Sequence, residues 1–305
     1  MEHHTIPIDI SQNELFFHVC TDGARNGIIH TCTKDYYQAT TLTAITAIRK
    51  NIDILCYCHM STHSHFVIKC KTMFQAEDFA QSFKRDYSRY LFLEHGLSKS
   101  YENIDSKPRE INDMFYLRDC IAYVLMNPVV PKIVNGPEHY KWSSFDAYYG
   151  FGYSCLNNAI SVKDLSAAKL RRLFKTKFDF SDSNILLDSD MKIINSSFVD
   201  YKLVEKIFNG ITDFFRSLAI INSVKEEEKY VTRRIKYDDN ELLAEAIDMT
   251  SKRFNVTELL RMTKEQKFHI LVPLLKKTKA SPKRIARVLR MNPGEVYKVI
   301  GIDKL

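Results

Sequence analysis

Long apolar runs are missing from this 305-residue chain. No stretch approaches the roughly 18 consecutive apolar residues of a membrane-spanning helix, so no membrane partner is expected. The opening residues, MEHHTIPIDI, lack a basic segment followed by an apolar one, and no secretory signal is expected there. Cysteine is sparse and irregular: seven residues, at 20, 32, 56, 58, 70, 120 and 155, an odd number that stops at Cys155. That excludes a disulfide framework and points to a reducing, cytoplasmic compartment. Cys56 and Cys58 could share one strand face, but no second CxxC or Cys/His cluster completes a zinc set, and they read as small core residues.

What is present is an ordinary globular composition, 45% hydrophobic and 27% charged, in a length that suggests about two domains. The net charge of +7 is unevenly placed. Residues 1–150 hold 15 Lys and Arg against 17 Asp and Glu, whereas residues 240–305 hold 14 against 7. The C-terminal segment carries the electrostatic footprint, and a nucleic-acid partner is the leading explanation, with a solvated basic face the plainer one.

The first half alternates strands and helices. Glu14 to Thr21 (ELFFHVCT) alternates and is aromatic-rich, as a strand requires, and Asp22-Gly23 with Asn26-Gly27 marks a turn behind it. From Thr33, a capping residue type, apolar and small residues recur at helical spacing. Two strands are expected over roughly 52–59 and 63–70. Ala76 to His95 reads as a helix that buries Phe79, Phe83, Tyr87 and Tyr90, carries Lys84, Arg85 and Arg89 on its other side, and ends at Gly96. After a loop and a short extended piece in 97–111, Asn112 is expected to cap a helix that stops at Asn127-Pro128. Hairpin-linked strands alternating with helices predict an α+β fold, an antiparallel sheet covered by helices on one face.

Two constellations carry chemistry. In CYCHMSTHSHFVIKC (56–70), His63 and His65 sit one residue apart in an apolar, β-branched run. On a strand they share one face, with Ser64, Phe66 and Ile68 on the other, which brings two imidazoles within reach of one divalent ion. Such pairs also occur on solvated sheet faces without a metal. Tyr123 and Asn127, four apart, share a helical face; taken alone they read as packing and a helix stop.

Taken together, these residues resemble a known pattern. HMSTHSHFVI resembles the HUH motif, and AYVLMNPVVPKIV resembles the tyrosine-helix motif. PEHYKWSSFDAYYG (137–150) resembles the Pro-Glu-x-Tyr-x-Trp-Ser-Ser block that follows them in REP-associated tyrosine transposases, relatives of the insertion-sequence transposases that act on single-stranded DNA. The likeness covers about residues 14–150. It implies a ferredoxin-like HUH catalytic domain over 1–150, in which His63, His65 and, as an oxygen-donating third ligand, Asn127 hold Mg²⁺ or Mn²⁺ against the scissile phosphate. Tyr123 is the implied nucleophile, leaving a covalent 5′-phosphotyrosine link and a free 3′-hydroxyl with no nucleotide cofactor. The implied activity is that of a metal-dependent endonuclease and strand transferase on single-stranded hairpin or repeat DNA, working as a monomer or homodimer.

On the basic helix, Lys84, Arg85 and Arg89 are the expected DNA contacts, while Tyr87 and Tyr90 either stack on bases or pack. Ser64 stands where the family usually carries a hydrophobic residue, Ser61-Thr62 replaces a Pro-Asn, and Lys99 to Arg109 replaces a Gly-His-Leu-Trp-Gln-like segment. A catalytically inactive descendant that binds DNA as a regulator is the alternative function.

Helices are expected over Val162 to Phe174 and Ser197 to Leu218, and Lys169, Arg171, Arg172, Lys175 and Lys177 either track phosphates or are simply solvated. The charge-dense 225–240 reads as a linker that closes a helical extension over 151–238. An all-α region over 239–305 is expected to hold Leu242 to Phe254, Val256 to Met262, Lys264 to Lys276, Pro282 to Arg290 and Glu295 to Ile300 as helices. The last two flank Met291 to Gly294 as a helix-turn-helix. SPKRIARVLRMNPGEVYKVI resembles the C-terminal DNA-binding domain of the bacterial replication initiator. That resemblance implies duplex DNA as a partner, with Lys283, Arg284, Arg287 and Arg290 on phosphates and Glu295, Tyr297 and Lys298 toward base edges. A plain helical bundle is the alternative.

Overall fold

The computed structural model of the protein describes residues 14–21, 27–97, 106–231, 239–258, 261–278, 280 and 282–299. Its first half runs β1 (Leu15–Cys20), α1 (Thr33–Lys50), β2 (Asp53–His59), β3 (Ser64–Cys70), α2 (Met73–His95), β4 (Arg109–Ile111) and α3 (Met114–Met126). The strands pair antiparallel in the order β2-β3-β1-β4. This β-α-β-β-α-β path with its interleaved order is ferredoxin-like, and the fold is α+β as the sequence pattern predicts.

Both faces of the sheet are covered, not one. Every residue of β2 except Asp53 and every residue of β3 except Lys69 is buried, which an open face would not allow. Side-chain alternation splits the strands between two layers. Phe17 and Val19 lie opposite Ile68 and Phe66, and Phe66 packs edge-on against Phe79 and Phe83 of α2. His18, Cys20 and His65 point to the other side, where Tyr123 of α3 meets them. The near-continuous apolar runs ILCYC and HFVI are those of strands buried on both sides.

Local chemistry sets the helix ends. The Thr72 hydroxyl accepts from Gln75 N at 3.2 Å, so α2 begins at Met73, ahead of the expected Ala76. Gly96 closes α2 in the left-handed region at φ 64, where a Cβ would be strained. Asp113, not Asn112, caps α3 by accepting from Tyr116 N at 2.8 Å; its carboxylate also suits the positive end of the helix.

Residues 137–150 seal the outer edge of β2. His59 N donates to Trp142 O at 2.8 Å, Ser144 N donates to Tyr57 O at 3.0 Å, and Tyr57 N donates to Ser144 Oγ at 3.0 Å. The Tyr140 hydroxyl donates to His59 O at 2.7 Å. The Tyr-x-Trp-Ser-Ser pattern thus satisfies backbone groups that an open edge would leave bare.

Beyond it come α4 (Tyr153–Leu156), β5 (Ile160–Ser161), α5 (Ala167–Phe174), β6 (Leu186–Leu187), α6 (Tyr201–Ile207) and α7 (Ile211–Val231). The single helix expected over 197–218 is broken at Asn209 and Gly210, with φ of 50 and 116. The first part of the expected linker instead continues α7, as its Glu and Lys residues favour. The C-terminal region contains α8 (Asp239–Phe254), α9 (Lys264–Thr278), α10 (Pro282–Leu289) and α11 (Pro293–Val299). The described part of Val256 to Met262 is not α-helical; Asn255, at φ 55, ends α8 there. Leu242, Ile270, Leu274, Ile285, Leu289 and Val296 form the core of this region, and Ile28 from the first half joins it. No helix among the described residues is long and apolar enough to cross a membrane.

Candidate active site

The strand register brings the two motif histidines together. His63 immediately precedes β3, and its ring lies 4.7 Å from that of His65, centroid to centroid, at 78°. The Thr62 hydroxyl sits 2.8 Å from His63 Nδ1. α3 lays the Tyr123 ring 5.6 Å from the His65 ring, nearly perpendicular to it.

Two further residues of the site escaped the sequence reading. Pairing of β1 with β3 sets Cys20 opposite His65 and His18 opposite Val67, on the same face. His18 Nε2 lies 3.1 Å from His65 Nδ1, and the His18 ring is 6.0 Å from the Tyr123 ring. Cys20 Sγ lies 4.0 Å from His65 Nε2. The usable signal was the alternation in FFHVC, which matches that of THSHF; what was missing was the register between the two strands. Burial, and secondly the Arg109 cation, push the His18 pKa down to about 4, so its imidazole is neutral at physiological pH.

Tyr123 is half-buried, and desolvation, then the neighbouring Cys20 and Cys120 thiols, hold its phenol above the ordinary value. Arg109, opposite His18 in β4, pulls the other way. Asn127 sits at the end of α3, where its Nδ2 donates to Tyr123 O at 3.0 Å. Its amide nitrogen is thereby committed to its own helix, and Oδ1 is the donor atom it can still offer a cation. By donor chemistry alone, two imidazoles and an amide oxygen suit a divalent ion, and nitrogen ligands favour Mn²⁺ over the harder Mg²⁺.

Ser64 turns away from the histidines, as alternation requires, and is fully buried. Its Oγ pairs with His59 Nδ1 at 2.8 Å, and its backbone N donates to Thr21 Oγ1 at 2.9 Å.

The expected DNA-binding residues divide. Lys84 is fully buried rather than on the open side of α2, because it falls one helical turn from Ala80 and Tyr87 on the packed face. That overturns its expected contact with DNA. Arg85 and Arg89 are exposed, but α2 covers the sheet face opposite the histidines, so neither lies at the site itself. Tyr87 and Tyr90 pack, and the Tyr90 hydroxyl donates to Asp35 Oδ1 at 2.8 Å. Lys169, Arg171, Arg172, Lys175 and Lys177 are all exposed.

In the C-terminal helices, Arg284 and Arg287 are half-buried. Arg290 turns inward: its Nε and Nη2 are buried without a hydrogen-bond partner among the described residues. Burial pushes its pKa down to about 10, against the opposing influence of Tyr87 and Asp35. At this end α10 lies against the first half, where a Cβ on Gly27 would come within 3.1 Å of Arg290 Cγ. Glu295 accepts from Lys264 Nζ at 2.7 Å, so it is tied to α9. The side chains of Lys283, Tyr297 and Lys298 lie outside the described residues.

A second group with metal-ligating atoms lies apart from the histidines. Cys32, Asp35 and His95 offer atoms within 4.8 Å of one another. Asp35 is already heavily engaged: Oδ2 accepts from Thr31 N, Thr31 Oγ1 and Cys32 N at 2.8, 2.7 and 3.2 Å, while Oδ1 lies 2.8 Å from the Tyr90 hydroxyl and 2.6 Å from His95 Nε2. Cys32 and Asp35 lie at the N-terminus of α1, whose partial positive charge opposes a cation, while His95 is the last residue of α2.

Known proteins offer a structural likeness without a sequence match. No family profile matches the chain, and no curated protein matches it. A solved structure described as "Structure of the REP associates tyrosine transposase bound to a REP hairpin" is 14% identical, with 52% of this chain and 85% of that chain covered at a TM-score of 0.32.

Proposed function

We propose that this protein is a metal-dependent endonuclease and strand transferase that cleaves single-stranded hairpin DNA through a covalent 5′-phosphotyrosine link at Tyr123. The observation that supports this reading is the convergence of Tyr123, from α3, on the His63–His65 pair at the start of β3: the His65 ring lies 4.7 Å from that of His63 and 5.6 Å from that of Tyr123. In this reading His63, His65 and Asn127 Oδ1 hold Mn²⁺ or Mg²⁺, which when bound draws charge from the scissile phosphate. Tyr123 Oη attacks phosphorus, the bond to the 3′-oxygen breaks, and the phenol proton is lost as the 3′-oxygen gains one. One phosphate ester replaces another, so the step reverses on a new 3′-hydroxyl without a nucleotide cofactor. Arg109 is the cation that eases formation of the phenolate. Arg85 and Arg89 are proposed to contact DNA at a distance from the reacting centre, and residues 239–305 to form a duplex-binding unit after the catalytic (1–150) and linking (151–238) segments.

One observation favours the alternative of an inactive DNA-binding regulator: burial raises the pKa of the Tyr123 phenol. Labelled hairpin DNA with Mn²⁺ separates the two. A denaturation-resistant adduct that Tyr123→Phe abolishes is the expected result. An adduct that survives the substitution places the nucleophile elsewhere, and no adduct on hairpins from the gene's flanking DNA favours the regulator.

A further inference from the structure

His18 comes from a strand that carries none of the recognised motifs, yet its Nε2 lies 3.1 Å from Nδ1 of the motif histidine His65. The His18 and His65 ring planes are parallel to within 5°, their centroids are 5.3 Å apart, and the facing nitrogens are 3.1 Å apart. The gap between those two distances is nearly filled by the two ring radii laid end to end. The contact therefore runs along the line of centres, in the plane of both rings. That is the geometry of an N–H···N hydrogen bond. Two imidazoles bound to one ion would instead aim their lone pairs obliquely at a shared point.

A neutral imidazole has one N–H and one bare nitrogen, so a hydrogen bond at one nitrogen decides what the other can do. If His65 accepted at Nδ1, its proton would sit on Nε2 and block that atom from a cation. If His65 donates from Nδ1, Nε2 carries the lone pair.

We propose that His18 is a positioning residue: its Nε2 accepts the hydrogen of His65 Nδ1, which fixes His65 in the Nδ1–H tautomer and reserves Nε2 for a divalent cation. The proposal rests on the metal-site reading above and goes beyond it by assigning His18 a task and His65 a defined tautomer. Outer partners of this kind tune metal affinity by about 10- to 100-fold where they have been removed. His18 is suited to the task by its strand: β1 is pinned on both sides, by β3 and β4, so its imidazole has little freedom to leave His65.

The test uses the full-length protein, with Mn²⁺ as the probe. His18→Leu keeps much of the side-chain volume but cannot accept a hydrogen bond; His18→Gln places a carbonyl oxygen near the position of Nε2 and can. In the metal-free protein, ¹⁵N-detected ring shifts are expected to show His65 protonated at Nδ1. Mn²⁺ affinity is expected to fall about 10- to 100-fold in His18→Leu and to recover in His18→Gln, with thermal midpoints of the metal-free variants reporting any general loss of fold. The number of nitrogens coupled to Mn²⁺ in electron spin-echo spectra is expected to be equal in wild type and His18→Leu.

His65 protonated at Nε2 overturns the proposal, as does unchanged Mn²⁺ affinity in His18→Leu. One fewer coupled nitrogen in His18→Leu also overturns it, by making His18 a direct ligand. The metal-site reading fails separately: wild type that binds no Mn²⁺, or binds it equally well after His63→Ala, removes the cation whatever tautomer His65 adopts.

Discussion

His59 Nδ1 and Ser64 Oγ are 2.8 Å apart across the β2–β3 pair, and both side chains are fully buried. A polar residue at the position between the motif histidines is therefore matched by a polar residue on the adjoining strand. Ser64→Val leaves His59 Nδ1 in the core without its partner and is expected to destabilise the protein by about 1–3 kcal/mol. Combining it with His59→Leu removes both polar groups and is expected to recover most of that loss. Urea midpoints check this; a double variant as unstable as the sum of its parts contradicts it.

Gly27 lies against the C-terminal helices. It has φ +55, and a Cβ there would lie 2.9 Å from Arg287 O and 3.1 Å from Arg290 Cγ. Gly27→Ala is expected to cost about 1–3 kcal/mol through overpacking and backbone strain. Faster amide exchange concentrated in α10 is the accompanying outcome; exchange unchanged there refutes the contact.

Asp35 gives the stability a defined response to acid. Burial alone would raise its pKa, but hydrogen bonds from His95, Thr31 and Tyr90 outweigh it, and the carboxyl titrates below its ordinary range. A depressed folded pKa contributes stability that is present above the unfolded value, about 3.9, and is lost as pH falls through the folded one. The thermal midpoint is therefore expected to drop steeply below about pH 4. Asp35→Asn should lower the midpoint at neutral pH and flatten that acid limb.

The raised phenol of Tyr123 predicts the pH course of adduct formation. Its rate is expected to climb about tenfold per pH unit through neutrality and on past pH 9, as the phenolate fraction grows. Arg109→Ala removes the cation that lowers this pKa, so the profile should shift to higher pH with a slower rate at pH 7. A rate independent of pH between 6 and 9 removes phenolate formation from the controlling step.

Much of the architecture was legible because period and chemistry agreed. Phe17 and Val19, or Phe66 and Ile68, alternate as strand residues must, and Thr33, Gly96 and Pro128 stand at or beside helix ends. Legibility failed where residue type and position disagreed. Lys84 has the spacing of the buried stripe, but its charge argues for the surface. KEEEKYV has the charge density of a linker and the propensity of a helix, and the helix prevails. His18 and Arg290 were illegible for another reason. Their roles depend on which strand or helix lies beside them, and a single sequence records no register between distant segments.

The seal along β2 also limits how copies of this chain can join. A sheet grows into a ribbon only through an edge with bare backbone groups, and along this margin Trp142, Ser143 and Ser144 already occupy that place. The opposite margin is β4, a strand of three residues, too short to template a long intermolecular ladder. Self-association by strand addition is thus disfavoured at both margins of the sheet, which leaves helical surfaces as the route for any symmetric pairing and keeps the histidine-bearing strands in the interior of each copy.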